Sequence, residues 1–384
     1  MAARYWIGGG TNSNWNASPT TNWSATSGGV VRVAAPTSAD DVTFDGAGAN
    51  GNTASIISAT ITCLSFTVTS GYTNTITHNA VLTVAGNVTL NTSYTIAGSS
   101  SMTISAASTI TSGGKTWPNA ITFSGSNTKT LVGDFIVTGT FTQSGTCVIN
   151  KTTTETFTVG GLTLQTTSCS GTAKIIIKGG TIAASSSFPI SNDIDLDGNI
   201  TISAATFRVN GGTITYVSGT ITTTGSTLSL VNGITLNTNG MTWSDISLTG
   251  DLTLNSLLTV SGTLSIVAGT SNVFAGSSGF TVGTLSILHV DARTVSLKEG
   301  VTYTVTSSLS AYTSRNGASL LFTSAHASTK AILTLVNPST CNCLANFTRI
   351  DASGGRTINT FNGTITDCLN IREFHDLQTY SSGT

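Results

Sequence analysis

The chain is expected to be all-β and to wind as a parallel β-helix, and three features of its 384 residues point there. From about residue 46 to 288 it is a succession of short runs such as Val81-Leu-Thr-Val-Ala, Asn87-Val-Thr-Leu, Ser101-Met-Thr-Ile-Ser, Gly198-Asn-Ile-Thr-Ile-Ser and Asp251-Leu-Thr-Leu. Each alternates apolar with small polar residues and is bounded by Gly, Ser or Asn, the signature of strands joined by turns. No window shows the 3.6-residue periodicity of an amphipathic helix. The third feature is an internal duplication. An offset of 126 sets Gly114-Lys-Thr-Trp on Gly240-Met-Thr-Trp, Met102 on Leu228, Ile104 on Leu230 and Ile110 on Leu236, and an offset of 123 sets Phe157-Thr-Val-Gly-Gly-Leu-Thr-Leu on Phe280-Thr-Val-Gly-Thr-Leu-Ser-Ile. Alternation that persists through two such blocks, with turns of varying length, fits coils stacked in register. Stacked β-sandwiches are the alternative that the same runs allow.

Three regions follow. Residues 1–45 hold three of the five tryptophans, Trp6, Trp15 and Trp23, and are read as a Trp/Gly-rich cap or attachment segment. The open end of a solenoid is an unpaired sheet edge and has to be covered. Residues 46–288 are the expected shaft and contain the duplication of about 125 residues. Residues 289–384 carry 13 of the 31 charges, as many as the much longer shaft, and are read as a distinct, β-rich distal region. Only Leu369-Asn-Ile-Arg-Glu-Phe-His-Asp-Leu, near the end, reads as one or two helical turns.

Composition narrows function. Charged residues make up 8% of the chain, against roughly 25% in an average globular protein, and the net charge is −1. Fifteen scattered basic residues give no electrostatic footprint for nucleic acid or anionic lipid. No apolar stretch follows Arg4 as a secretory signal would require, and no run is long enough to insert in a membrane. Six cysteines (Cys63, Cys147, Cys169, Cys341, Cys343 and Cys368) form no C-x-x-C motif and read as reduced, packed thiols. Cys147 and Cys169 lie one plausible coil apart and are expected to stack.

The residue patterns at both ends resemble a known group. Trp6-Ile-Gly-Gly-Gly, Asn14-Trp, Asn22-Trp-Ser and Pro36-Thr-Ser-Ala-Asp-Asp-Val-Thr-Phe-Asp look like the start of β-solenoid virion-surface proteins of tailed bacteriophages, related in pattern to bacterial surface adhesins. Glu299-Gly-Val-Thr-Tyr-Thr-Val-Thr-Ser, Ala331-Ile-Leu-Thr-Leu and Phe347-Thr-Arg-Ile-Asp-Ala-Ser-Gly-Gly are similar to later coils of that group. The resemblance covers about a quarter of the chain. It implies a non-enzymatic structural protein of the virion (capsid decoration, fibre or tail-associated piece), made in the host cytoplasm and engaged in host attachment. Its expected partners are other virion proteins, further copies of itself in a homotrimer, and a host cell-surface glycan. A glycan-cleaving tailspike and a bacterial β-helix adhesin are the alternatives.

Few residues suggest chemistry. Asp193, Asp195 and Asp197 match the first half of a D-x-D-x-D-G calcium loop, but the place of its bidentate Glu falls on Ala204. Their spacing on a strand, about 6.8 Å, makes a row of outward carboxylates the preferred reading over a calcium site. A glycan-cleaving site would need two carboxylates about 5–10 Å apart, for which Asp134, Glu155, Asp245 and Asp251 are the candidates. Asp134 and Asp251 follow glycine in similar contexts and are read as equivalent turn residues. The four histidines lack metal-ligand spacing, and no metal or cofactor is expected. Repeated Thr-x-Thr triplets at 60, 75, 213 and 220 are too irregularly spaced for an ice-matching array and read as outward strand residues. For Trp6, Trp15 and Trp23, capping the first coil is preferred over docking to another virion protein and over sugar stacking.

Overall fold

The computed structural model describes residues 2–143, 148–151, 157–164, 169–171, 175–184, 193–223, 225–267, 271–289, 292–313, 320–336, 341–343, 345–361 and 364–374. Among them there is no helix, and the strands stack in parallel as a β-solenoid of about 12 turns. The sandwich alternative falls because inter-coil pairing is parallel throughout. Among the described residues, antiparallel pairing is confined to the N-terminal cap, where Trp23–Ser24 pairs with Ala2–Trp6 on one side and with Arg32–Val33 on the other.

The chain forms two compact units, 1–204 and 205–384. In the first, one inward ladder runs Val42, Phe66, Val88, Ile110, Leu131, with partners 21 to 24 residues apart. A second runs Cys63, Val84, Ile104, Phe123, Gln143, at steps of 19 to 21. Every residue of both is buried. The alternation of the sequence therefore becomes an inside and an outside, because successive side chains of a strand point to opposite faces. In the second unit Leu228, Ile246, Leu264, Leu285 and Leu309 form the corresponding inward ladder.

The duplication is real in three dimensions. Thr116–Trp117 and Ile121–Phe123 both pair with the single nine-residue strand Phe135–Gln143, just as Thr242–Trp243 and Asp245–Leu248 both pair with Leu258–Ile266. The long strand carries a register shift between Val137 and Thr140 in one copy and between Val260 and Thr263 in the other. Asp134 and Asp251 are not equivalent, however. Asp134 precedes the long strand Phe135–Gln143, whereas Asp251 precedes the three-residue strand Leu252–Leu254, so their shared glycine context is coincidental.

Other expectations also change. Ile371–Phe374 is a strand paired with Ile358–Phe361, not a helical turn, because backbone pairing to the preceding coil outweighs a weak local pattern. The division between the two compact units lies at 204/205, inside the stretch read as the shaft. Parallel pairing continues through 289, from Phe280–His289 to Thr302–Thr313, and the inward alternation accommodates even a charge, since the buried Arg293 donates to Ile266 O at 3.0 Å. Cys147 lies outside the described residues, and the residue in register with Cys169 is Ile149. Cys341 and Cys343 flank Asn342 on one strand, in register with Leu309 and Ala311.

Candidate functional site

The N-terminal segment is built around three indoles, each with 0% of its surface exposed. Trp6 stacks on Phe44 with centroids 5.5 Å apart, and Trp23 meets Trp6 and Trp15 edge to face at 5.3 and 5.2 Å. Phe66 and Tyr72 extend the cluster into the next coil. Each indole N–H is satisfied: Trp6 donates to Thr53 O, Trp15 to Ser55 Oγ and Trp23 to Trp15 O. A buried indole of this kind stabilises by about 3–5 kcal/mol. The rings are thus the core of a cap, and no indole face is open to a sugar or a partner.

The other motif residues of the segment are explained by the same cap. Asn22, fully buried, accepts from Gly10 N at 2.6 Å and donates to Asn12 O and Asn14 O. Gly8 has φ +56, and a Cβ there would lie 2.2 Å from Thr53 Oγ1, so Trp6-Ile-Gly-Gly-Gly needs its first glycine for conformation and for space. Asp40 accepts from Thr37 N and Thr37 Oγ1 at 2.9 and 2.8 Å and faces Arg4 at 3.6 Å. Burial opposes its charge, yet the Thr37 bonds and Arg4 together hold its carboxyl below the usual range. The large apolar side chains that the cap leaves exposed are Val30 and Val31 on the hairpin tip, 92% and 72% accessible.

The acidic candidates do not converge. Asp193 is exposed ahead of the strand Ile194–Ile202, and Asp195 and Asp197 alternate on it with the buried Ile194 and Leu196. Among the described residues no three His, Cys, Asp or Glu side chains gather closely enough to hold a metal ion. Asp245 Oδ1 accepts from Thr263 N at 2.7 Å and Asp251 Oδ1 from Val273 N at 2.8 Å, so both carboxylates tie one coil to the next. Glu155 lies outside the described residues. Burial pushes the Cys63 thiol up to about 12, which suits a packing residue and not a nucleophile.

Sequence reasoning missed two outer features. Thr62, Thr83, Thr103, Thr122, Thr142 and Thr163 stand in register on six consecutive strands. The partner spacings are 21, 20, 19, 20 and 21, so the irregular triplets conceal an unbroken column at the strand separation of about 4.8 Å. Beside a neighbouring column, Thr116, Ile136, Thr158 and Ile176, lies a groove of about 360 Å³ that Thr138 also lines. It follows from a bend repeated in successive strands, at Gly139, at Gly160-Gly161 and at Gly179-Gly180. A Cβ at Gly139 would lie 2.5 Å from the Asn119 carbonyl carbon. Glycines at steps of about twenty residues inside strands were the available signal, since interior glycine marks a bulge or a close approach.

Compared with family models, with curated proteins and with solved structures, the chain matches none.

Proposed function

We propose that the chain is a non-enzymatic structural protein of a tailed-phage virion surface, attached through its N-terminal cap and assembled as a homotrimer. The observation that carries this reading is the cap itself: Trp6, Trp15 and Trp23, from the N-terminal part of the resemblance, form one closed aromatic end that also carries the exposed Val30–Val31 pair. Adjacent exposed valines on a hairpin tip suit an apolar pocket on another virion protein. The low charge of the flanks suits side-by-side packing of copies around a symmetry axis.

The cap cannot be tested by removing residues 1–45, because Trp6 and Trp15 pack on Phe44 and Phe66 and their loss would strip the first coils. A double substitution Val30→Asp, Val31→Asp changes only exposed side chains. Purified virions are expected to contain the wild-type chain by mass spectrometry and to lack the double variant, while light scattering on the purified protein gives a trimer. Virions without the wild-type chain would refute the location, virions that keep the variant would refute the docking tip, and a monomer would refute the trimer.

A further inference from the structure

The groove beside Ile136 and Ile176 combines apolar walls with hydroxyls on a sparsely charged surface. Its walls are the two isoleucines, and Thr116 and Thr138 stand exposed at its margin. Thr158, in register between Ile136 and Ile176, is only 8% exposed, and its hydroxyl makes no hydrogen bond within the described protein. A wholly apolar occupant would seal that hydroxyl away from water without a partner, which is costly. An occupant with hydroxyls of its own would satisfy it.

Charge narrows the choice further. Among the described residues no charged side chain lines the groove, and the next position along the column after Ile176 is Asp195, which disfavours an anion. The volume of about 360 Å³ is at the lower end of ligand pockets, which run from about 300 to 1,000 Å³, and so suits one ring rather than a large ligand. The duplicated unit supplies a built-in comparison: there the same column reads Thr242, Thr259, Thr281, Thr304, so both apolar walls are replaced by threonine.

We propose that this groove binds one pyranose ring of a neutral glycan, its C–H face on Ile136 and Ile176 and a ring hydroxyl on Thr158. The proposal deepens the reading of the chain as a surface protein that meets a host glycan. The test is saturation-transfer NMR on the full chain with tetrasaccharides of glucose, of galactose and of N-acetylglucosamine, with tetragalacturonate as the anionic probe and cyclohexanol as the apolar one. At least one neutral tetrasaccharide is expected to bind. Thr158→Val, which keeps the branched shape, should weaken it at least tenfold, Ile136→Trp should abolish it by filling the groove, and Thr281→Val should leave it unchanged. Silence from all neutral probes, a preference for tetragalacturonate, or cyclohexanol binding that exceeds sugar binding and survives Thr158→Val would overturn the proposal, the last result pointing to a protein side chain as occupant. Virion incorporation keeps the two readings separable: a wild-type chain that joins virions but binds no sugar, or an Ile136→Trp chain that still binds it, refutes only the groove.

Discussion

Residues 102–164 and 228–287 follow the same course strand for strand, yet their outer surfaces differ. Where the first has Thr103, Thr122, Thr142 and Thr163 in register, the second has Ser229, Ser247, Ser265 and Ser286. The inward positions stay large and apolar instead, with Ile121 matched by Ile246 and Phe141 by Leu264. An outward ladder position thus demands a small residue that stacks at strand spacing and tolerates water, and the methyl group of threonine is optional. The inner ladder demands volume, because packed interiors register the loss of even one methylene. The groove shows the same freedom: Ile136 and Ile176 in one copy are Thr259 and Thr304 in the other, although the register shift after Ile177 takes up two extra residues and that after Val305 only one.

The most severe way to test the equivalence is to remove its two anchors. Trp117 and Trp243 are each 1% exposed and sit at matched positions, so Trp117→Ala and Trp243→Ala should each destabilise by about 3–5 kcal/mol in urea denaturation. A large inequality would show that the copies are packed differently despite their common course.

The next effect belongs to the first unit alone. His78 is fully buried against Trp117, with ring centroids 5.0 Å apart and no hydrogen bond to either nitrogen. Burial pulls its imidazole from the ordinary 6.5 down to about 4. The unfolded chain therefore takes up a proton that the folded chain refuses. Stability from this group is whole above about pH 6.5 and falls as the pH drops toward 4, by about 3 kcal/mol. Urea midpoints measured across that range should show the loss in wild type and a flatter profile in His78→Phe.

A smaller difference separates Asp245 from its counterpart Ala120. Asp245→Ala would give the second unit the pattern of the first and remove the bond to Thr263 N, costing about 2 kcal/mol by the same denaturation measurement. Smallest of all is the exchange of column residues. Thr122→Ser should cost, and Ser247→Thr should add, about 0.5 kcal/mol, in keeping with the higher strand preference of a β-branched side chain. Equal and opposite values would establish the two columns as interchangeable, whereas a large loss on Ser247→Thr would reveal crowding that the shared register hides.

Much of this architecture is legible locally. Alternation such as Val81-Leu-Thr-Val-Ala decides which side chains turn inward, because successive residues of a strand face opposite ways whatever lies beside them. The pairing of Gly114-Lys-Thr-Trp with Gly240-Met-Thr-Trp likewise marks equivalent strands before any coil is placed. The glycines of Trp6-Ile-Gly-Gly-Gly announce an unusual backbone, although only the position of Thr53 shows why Gly8 admits no side chain.

The sequence by itself determined the strands, their inward faces and the duplication, since each depends on neighbours in the chain. Tertiary structure alone decided what stands beside what from coil to coil. Partners in the first unit's ladders are 18 to 24 residues apart because every turn has its own length, so no fixed period brings Thr62 to Thr83 and Thr103, or sets Thr158 between Ile136 and Ile176. Backbone hydrogen bonding to the adjacent coil sets that register, and the bends at Gly139 and Gly179 accompany its shifts. The column and the groove therefore exist only once the coils are stacked.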